Sequence, residues 1–180
     1  MHSKRKTILY IAASLDGFIA APGDDLSFLD IAESKGEDYG YGDFVSTVDT
    51  IVMGRKTYDW VMKNAPDFVH ADKETYIITR TPRPPQGSAQ FYTGNLKELI
   101  EDLKSRDGKN IFIDGGAEIV RELLKEKLID EFIVFIIPVL LGAGVRLFLE
   151  GFPGQELKFV GSMEYKKTGV VGLMYKRKDM

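Results

Sequence analysis

Several short segments of the chain are almost continuously apolar and rich in β-branched residues. They lie at residues 7–13, 51–54, 75–80 and 131–137, and a further one begins at residue 110. Continuous apolar runs of this length are typical of strands covered on both faces. A strand with one solvent-exposed face instead alternates apolar and polar residues. The pattern predicts a buried, mostly parallel sheet, with an additional short strand at 89–92.

Between these strands, apolar residues recur at helical spacing. Helices are predicted after Gly54, Asn95 and Gly116, with shorter helical segments at 26–32 and 44–48. Asn95 is the predicted N-cap of its helix, because a glutamate follows three residues later. That helix is expected to end at residue 108, where the chain has a glycine.

The C-terminal part of the chain has a different period. Two alternating segments, 157–165 and 169–175, predict a hairpin with its turn at 166–169. Together with the apolar strands and their helices, this pattern favours an α/β fold with a mixed, mostly parallel central sheet and a C-terminal antiparallel hairpin.

Composition narrows the classes of protein to consider. With 180 residues, of which 44% are hydrophobic and 28% charged, the chain is expected to form one domain over residues 1–180. A net charge of −3 gives no general attraction to nucleic acid or to an acidic membrane. No apolar run reaches membrane-spanning length and no cleavable leader is recognised, so a cytoplasmic protein is expected.

Cysteine is absent and histidine occurs only at His2 and His70. A thiol nucleophile, a disulfide and a zinc site with thiolate ligands are therefore excluded, and a histidine metal cluster is not expected. His70 follows an irregular segment and is interpreted as a loop residue with no evident partner.

Residues 50–60 combine a strand, a glycine turn and a helix start. The first N–H groups of a helix lack internal partners, so Gly54 can let an anion approach while Arg55, Lys56 and Thr57 supply charge and a hydroxyl donor. The alternative is a basic helix start with solvated side chains, and the two interpretations have about equal weight on this segment alone.

Two further segments repeat this chemistry. Gly115 and Gly116 separate a strand from a helix, which suits either a diphosphate or simple tight packing. Thr79 and Arg80 lie at the carboxyl end of another strand, where an arginine can bind phosphate or can be an ordinary surface residue. The dinucleotide pattern G-x-G-x-x-G and the Walker A loop are both absent, so a standard Rossmann or P-loop protein is not expected.

Other candidate functional residues can equally well have a purely structural role. Asp16 lies in an Asp-Gly turn and can be a turn former. Tyr39 and Tyr41 alternate with glycines and can stack on a ligand or anchor a loop. The apolar stretch 132–141 can contribute to a homodimer interface, although burial in the core explains it equally well.

Taken together, these motifs resemble the dihydrofolate reductase superfamily, in an order that covers nearly the whole chain. Residues 50–60 are similar to the strand and helix of that superfamily that bind the cofactor phosphates. Residues 113–118 are similar to its diglycine turn at the pyrophosphate. Residues 14–20 and 137–144 are closer to the reductase (C-terminal) domain of the riboflavin-biosynthesis protein RibD. The resemblance implies a dihydrofolate reductase-like, three-layer α/β/α fold.

The resemblance also implies an NADPH-dependent reductase that acts on a heterocyclic small molecule. Implied phosphate contacts come from the glycine turns and the basic strand end, and implied nicotinamide contacts come from the end of the first strand. The implied cofactor-binding residues are Ala13, Ser14, Ile19, Gly54, Arg55, Lys56, Thr57, Thr79, Arg80, Gly115, Gly116, Ala117 and Glu118. Asp16 is the first candidate for the catalytic proton, and Asp38 the second.

The substrate is less defined by the resemblance than the cofactor. Reduction of 5-amino-6-(5-phosphoribosylamino)uracil is the first expectation, and dihydrofolate or pterin reduction or a catalytically silent NADP(H)-binding protein are the alternatives. The chain lacks the cysteines of a zinc deaminase domain, and its strand at 132–137 lacks the polar residue expected for pterin recognition. Basic residues for a phosphoribosyl group are not located by the sequence.

Overall fold

The computed structural model of the protein describes residues 5–64 and 70–178. Its strands are β1 (Thr7–Ser14), β2 (Phe18–Ala20), β3 (Val48–Gly54), β4 (Glu74–Ile78), β5 (Ala89–Tyr92), β6 (Asn110–Gly115), β7 (Glu131–Ile137), β8 (Val145–Arg146), β9 (Leu157–Tyr165) and β10 (Val170–Arg177). Its α-helices are α1 (Tyr41–Ser46), α2 (Arg55–Asn64), α3 (Leu96–Ser105) and α4 (Ala117–Lys125), and a 3₁₀ helix covers Ser27–Ala32.

Eight strands form one sheet in the order β5-β4-β3-β6-β1-β7-β10-β9. The six strands from β5 to β7 in this order pair in parallel, whereas β10 is antiparallel to both β7 and β9. The predicted fold class, a mostly parallel sheet with a C-terminal antiparallel hairpin, is confirmed. All six parallel strands end at the same edge of the sheet, called here the carboxyl edge.

Both faces of the sheet are covered, which explains the continuous apolar runs in the central strands. On one face, helices α3 and α4 pack through a cluster that includes Leu9, Val52, Ile100, Leu103, Ile113 and Val120. On the other face, α1 and α2 contribute Phe44 and Tyr58 to a cluster that includes Ile8, Ile51, Met53, Ile77 and Phe112. The result is the three-layer arrangement that the resemblance implies.

The strand β7 lies between β1 and β10, so both of its edges are paired. Phe132, Phe135 and Ile137 are buried in the core of the described chain. Core burial therefore accounts for these three residues of the stretch 132–141, whereas Leu140 is exposed, and the homodimer stays a prediction. Within the described residues, no helix has both the length and the apolar character needed to cross a membrane.

Several element boundaries differ from the sequence prediction. The strand predicted to reach residue 80 ends at Ile78, because the Thr79 hydroxyl accepts a hydrogen bond from the Thr81 N–H at 3.1 Å and turns the chain. The helix α3 begins after Asn95 as predicted, and the Asn95 side chain accepts hydrogen bonds from two backbone amides in the first turn. It ends at Ser105, before residue 108.

Two other differences concern short elements. The small sheet of β2 and β8 was not predicted, since three-residue and two-residue strands carry too little pattern. The helix α1 spans Tyr41–Ser46, earlier than the predicted 44–48, because the Asp38 carboxylate accepts hydrogen bonds from the Gly40 and Gly42 amides and starts the helix there. The irregular segment before His70 lies partly outside the described residues.

Buried charge is concentrated at the opposite, amino edge of the sheet. Arg5 is almost fully buried and donates to the carbonyls of Lys109 at 2.6 Å and Leu103 at 3.1 Å, and to the Thr50 hydroxyl at 2.7 Å. It also pairs with Asp49. One guanidinium thus joins the start of β1 to β3, to α3 and to the segment before β6.

The substitution Arg5→Met should destabilise the fold by about 3 kcal/mol, because it leaves two carbonyls and a buried hydroxyl without their donor. The free energy of unfolding can be measured by denaturant titration. Arg106→Met is a matched control, since Arg106 makes exposed ion pairs with Asp102 and Glu74 and should cost less than about 1 kcal/mol. Equal losses for both variants would contradict the assignment of Arg5 as a structural junction.

Candidate functional site

A cavity of about 590 Å³ opens beside the carboxyl edge. Its floor is formed by residues of β1 and β6, and its walls come from β2, the loop after β2 and the first turns of α2. The described residues that line it are Tyr10, Ile11, Ala12, Ile19, Ala20, Asp24, Leu26, Leu29, Tyr41, Lys56, Thr57, Asp59, Trp60, Val61, Phe112, Asp114 and Gly116. The size and the mainly apolar lining are those of a small-molecule site.

A second cavity of about 230 Å³ shares Tyr10, Ala12, Leu29 and Tyr41 with the first one. It extends toward Asp38 and toward residues of β7 and β10. The two cavities therefore form parts of one cleft along the sheet.

Two strand-to-helix turns that contain glycines lie side by side at the end of this cleft. A Cβ at Gly54 would lie 3.5 Å from the Ile119 side chain and 3.6 Å from the Gly115 carbonyl oxygen. A Cβ at Gly116 would lie 3.7 Å from the Thr57 hydroxyl, on the side that lines the cavity. Gly115 has a φ of 96°, which favours glycine at this position.

The N-termini of α2 and α4 lie side by side because β3 pairs with β6 through Met53 and Gly115. The N-cap of α4 is Gly116, and no side chain caps that helix. Backbone N–H groups at two helix starts, together with the Thr57 hydroxyl that lines the cavity beside Gly116, are suited to a diphosphate. The residues present thus fit the phosphates of a dinucleotide.

The basic residues near this edge differ in their surroundings. Lys56 lies 3.9 Å from Asp24, and Arg55 lies 3.5 Å from Asp59 in the next turn of α2. Arg80 is exposed, and among the described residues its side chain has no ion-pair or hydrogen-bond partner. An incoming anion would therefore meet an unpaired guanidinium at Arg80.

Asp114 is the carboxylate that the sequence did not identify as a site residue. It lies at the end of β6 and lines the cavity, where its side chain has no hydrogen-bond partner among the described residues. Burial raises the pKa of the Asp114 carboxyl to about 6. A carboxyl with this pKa exchanges protons near neutral pH, which is what a general acid requires.

The alternation of β6 side chains between the two faces of the sheet is the sequence signal from which Asp114 could have been predicted. Ile111 and Ile113 belong to the core under α3 and α4, whereas Phe112 faces the other side and lines the cavity. Two residues after Phe112, position 114 shares its face. A lone carboxylate in this apolar strand, immediately before two glycines, is therefore placed in the cleft.

Aromatic side chains line the cavity together with Asp114. The Tyr41 hydroxyl lies 3.1 Å from Nε2 of His70, and burial together with the nearby Asp114 charge raises the pKa of Tyr41. His70 lies in a turn, as predicted, but it is buried, burial lowers its pKa and Tyr41 is its partner, so only the prediction that it has no partner is wrong. Tyr39 instead anchors its loop, donating to Ala32 and lying 3.0 Å from the Thr168 hydroxyl. Of the two tyrosines, only Tyr41 lines the larger cavity.

Asp16 holds two backbone segments together. Its carboxylate accepts hydrogen bonds from the Ser14 hydroxyl at 2.6 Å, the Leu141 N–H at 3.1 Å and the Gly142 N–H at 2.7 Å. These hydrogen bonds lower the pKa of Asp16 to about 2. The carboxylate is therefore ionised at neutral pH, which favours its turn-forming interpretation over that of a proton donor.

Asp38 has a similar environment. Its carboxylate accepts from the Gly40 and Gly42 amides, and these hydrogen bonds lower its pKa. It nevertheless lines the smaller cavity, so it adds negative charge to the cleft.

The other predicted cofactor residues are spread along the carboxyl edge. Ile19 lines the large cavity, whereas Ala13 and Ser14 are fully buried at the end of β1. Ala117 is buried and Glu118 is exposed in the first turn of α4. Thr79 follows β4 and donates its N–H to the Tyr92 carbonyl at 3.0 Å. Within residues 5–64 and 70–178, no cluster of acidic or histidine side chains is arranged to hold a metal ion.

Comparison with known proteins finds relatives that align with nearly the whole chain. The uncharacterized protein YwjB of Bacillus subtilis (strain 168) is 42% identical over 163 residues, covering 90% of this chain and 93% of its own. A Shewanella sp. PV-4 protein named for riboflavin biosynthesis has a TM-score of 0.86 at 31% identity, covering 96% of this chain and 99% of its own.

A more distant structure has the same fold. Dihydrofolate reductase from Enterococcus faecalis, solved with NADP(H), has a TM-score of 0.70 at 15% identity, covering 99% of this chain and 100% of its own. The family model described as the RibD C-terminal domain matches residues 5–171. The chain therefore belongs to the RibD C-terminal domain family.

Proposed function

We propose that this protein is an NADPH-dependent reductase that transfers a hydride to a heterocyclic small molecule. The observation that carries the proposal is the position of Asp114, a proton-exchanging carboxyl inside the cavity and next to the glycines at the two helix starts. Membership of the RibD C-terminal domain family supports the same reaction class.

The cofactor phosphates would be bound at the two glycine-containing turns of the carboxyl edge. The N–H groups after Gly54 and Gly116 and the Thr57 hydroxyl would bind the diphosphate, with Lys56 as a nearby cation. Thr79 and the exposed Arg80 would meet the adenosine 2′-phosphate. Ile19, which lines the cavity, would border the nicotinamide.

Bound NADPH would supply a hydride to an electron-poor substrate carbon. The protein then has to hold the substrate ring, exclude water and provide the accompanying proton. The apolar walls, including Ile19, Trp60 and Phe112, serve the first two tasks. We assign the proton to Asp114, which donates from its protonated form to a nitrogen of the substrate.

Asp16 acts as a positioning residue in this proposal. Its hydrogen bonds fix residues 141–142 against the turn between β1 and β2, and that turn leads into Ile19 on the cavity wall. Asp38 starts α1 and so positions Tyr41.

The variant Arg80→Ala should weaken NADPH binding by about 1.5–3 kcal/mol, the strength of a charged hydrogen bond, and leave NADH binding nearly unchanged. Calorimetric titration of both cofactors measures this difference. Arg106→Ala is the control, because Arg106 pairs with acidic residues away from the cavity and should alter neither affinity. Equal weakening of NADPH and NADH by Arg80→Ala would remove Arg80 from the 2′-phosphate.

The variant Asp114→Asn should lower turnover about a hundredfold while leaving NADPH affinity nearly unchanged, because it removes the exchangeable proton and keeps the side-chain shape. In the unmodified protein, turnover should be high below the Asp114 pKa of about 6 and fall as the pH rises above it, since the donor is then ionised. The variant should lose this limb of the pH profile. A pH profile that is the same in both proteins would exclude Asp114 as the donor.

The variant Asp16→Asn tests the positioning role. An asparagine keeps one oxygen but places its NH₂ against the N–H group of either Leu141 or Gly142, so one hydrogen bond is lost and the melting temperature should fall. Turnover should decrease with the shape of its pH profile unchanged. A pH profile that flattens in this variant, at unchanged melting temperature, would return Asp16 to the role of proton donor.

A further inference from the structure

The smaller cavity, of about 230 Å³, is not used by the reaction described above. It lies on the β7 and β10 side of β1, whereas the two glycine-containing turns lie on the β3 and β6 side. A cofactor bound at those turns would therefore leave the smaller cavity free. Because the two cavities share Tyr10, Ala12, Leu29 and Tyr41, a ligand in the larger one can extend into the smaller one without leaving the cleft.

Apolar side chains from three elements form most of the wall of the smaller cavity. Leu29 and Ala32 come from the 3₁₀ helix, Phe135 and Ile137 from β7, and Val170 from β10. All five belong to one core cluster or pack against it. The shape of the cavity is therefore fixed by the packing of the fold.

The tyrosines that border this cavity are already hydrogen-bonded within the protein. The Tyr10 hydroxyl donates to the Tyr39 carbonyl at 3.0 Å, and the Tyr39 hydroxyl donates to the Ala32 carbonyl. The Tyr41 hydroxyl lies 3.1 Å from Nε2 of His70. Each tyrosine hydroxyl thus has a partner in the protein, which leaves the aromatic rings as the surface offered to a ligand.

Asp38 is the remaining polar side chain of the described lining, and it also has partners. It is exposed, and its two carboxylate oxygens accept from the Gly40 N–H at 2.9 Å and from the Gly42 N–H at 3.1 Å. A polar group that enters the cavity loses its hydrogen bonds to water and finds no side chain that lacks a partner. An apolar group gains from burial at no such cost.

A cavity of about 150 Å³ with apolar walls is large enough to bind benzene. The smaller cavity, of about 230 Å³, can therefore hold a phenyl ring or a branched alkyl group of similar size. We propose that it is a subsite for an apolar substituent of this size, carried by the substrate whose ring lies beside Asp114 in the larger cavity. The inference rests on the proposed reductase function and adds a second point of substrate recognition to it.

Fluorobenzene tests the subsite directly. The protein, saturated with NADP⁺, is titrated with fluorobenzene and binding is followed by fluorine NMR, which should show saturable binding. Ala32→Phe fills the smaller cavity and keeps the backbone carbonyl that Tyr39 contacts, so it should weaken this binding at least about tenfold. Ala71→Phe makes the same change at an exposed position outside both cavities and should leave the affinity unchanged.

A matched pair of heterocycles tests whether the subsite serves the substrate. 6-(Methylamino)uracil and 6-(benzylamino)uracil differ by one phenyl ring. In calorimetric titrations of the NADP⁺-saturated protein, the benzyl compound should bind at least about tenfold more tightly, the gain expected from burial of a phenyl ring. Ala32→Phe should remove most of this preference, and Ala71→Phe should retain it.

Absence of saturable fluorobenzene binding, or equal affinities of the unmodified protein and Ala32→Phe, would overturn the subsite. Equal binding of the two uracils, or binding of neither, would overturn its use by the substrate. In each case retained NADPH binding would show that the proposed reductase function survives. If Ala32→Phe itself no longer binds NADPH, the smaller change Ala32→Leu takes its place. Absence of NADPH and NADP⁺ binding by the unmodified protein would instead overturn the proposed function, and the inference with it.

Discussion

The pairing of β3 with β6, which sets the turn at Gly54 beside the turn at Gly115–Gly116, is the interaction on which the rest of the site depends. A Cβ at Gly54 would lie 3.6 Å from two backbone atoms of these glycines, an ordinary van der Waals distance, whereas the φ of 96° at Gly115 favours glycine itself. The strand pairing places two helix N-termini at one point of the carboxyl edge. It also leaves the space beside β1 that the cavity occupies.

The buried charges that stabilise the fold lie at the amino edge of the sheet, and the candidate site residues lie at the carboxyl edge. The amino edge holds buried, fully engaged charges, including Arg5 and the Asp130 carboxylate, which accepts from the Thr7 N–H at 2.9 Å and pairs with Lys104. Among the described residues, the carboxyl edge holds polar side chains without a partner, such as Asp114 and Arg80. Unpaired polar groups cost stability and are available for ligands, so their placement at one edge is expected of a binding site.

The sequence was most informative where the pattern was long. The strand β7, the hairpin strand β9 and the N-cap Asn95 follow directly from apolar runs, alternation and capping chemistry. The pairing of β2 with β8 was not predictable, because neither segment has a periodic signal of its own. Asp16 was ambiguous for a different reason: its hydrogen-bond partners at Leu141 and Gly142 are distant in the chain, so local pattern could not show that its carboxylate is already saturated.

The most direct test of the site is a titration of the unmodified protein with NADPH, followed by heat and by the emission of Trp60. Trp60 is 42% exposed and lines the cavity, so a nicotinamide bound there should quench its fluorescence by energy transfer. We expect saturable quenching that coincides with the calorimetric isotherm, and tighter binding of NADPH than of NADH. Heat without a change in Trp60 emission would place the cofactor elsewhere. The absence of both heat and a fluorescence change would contradict the proposed reductase site.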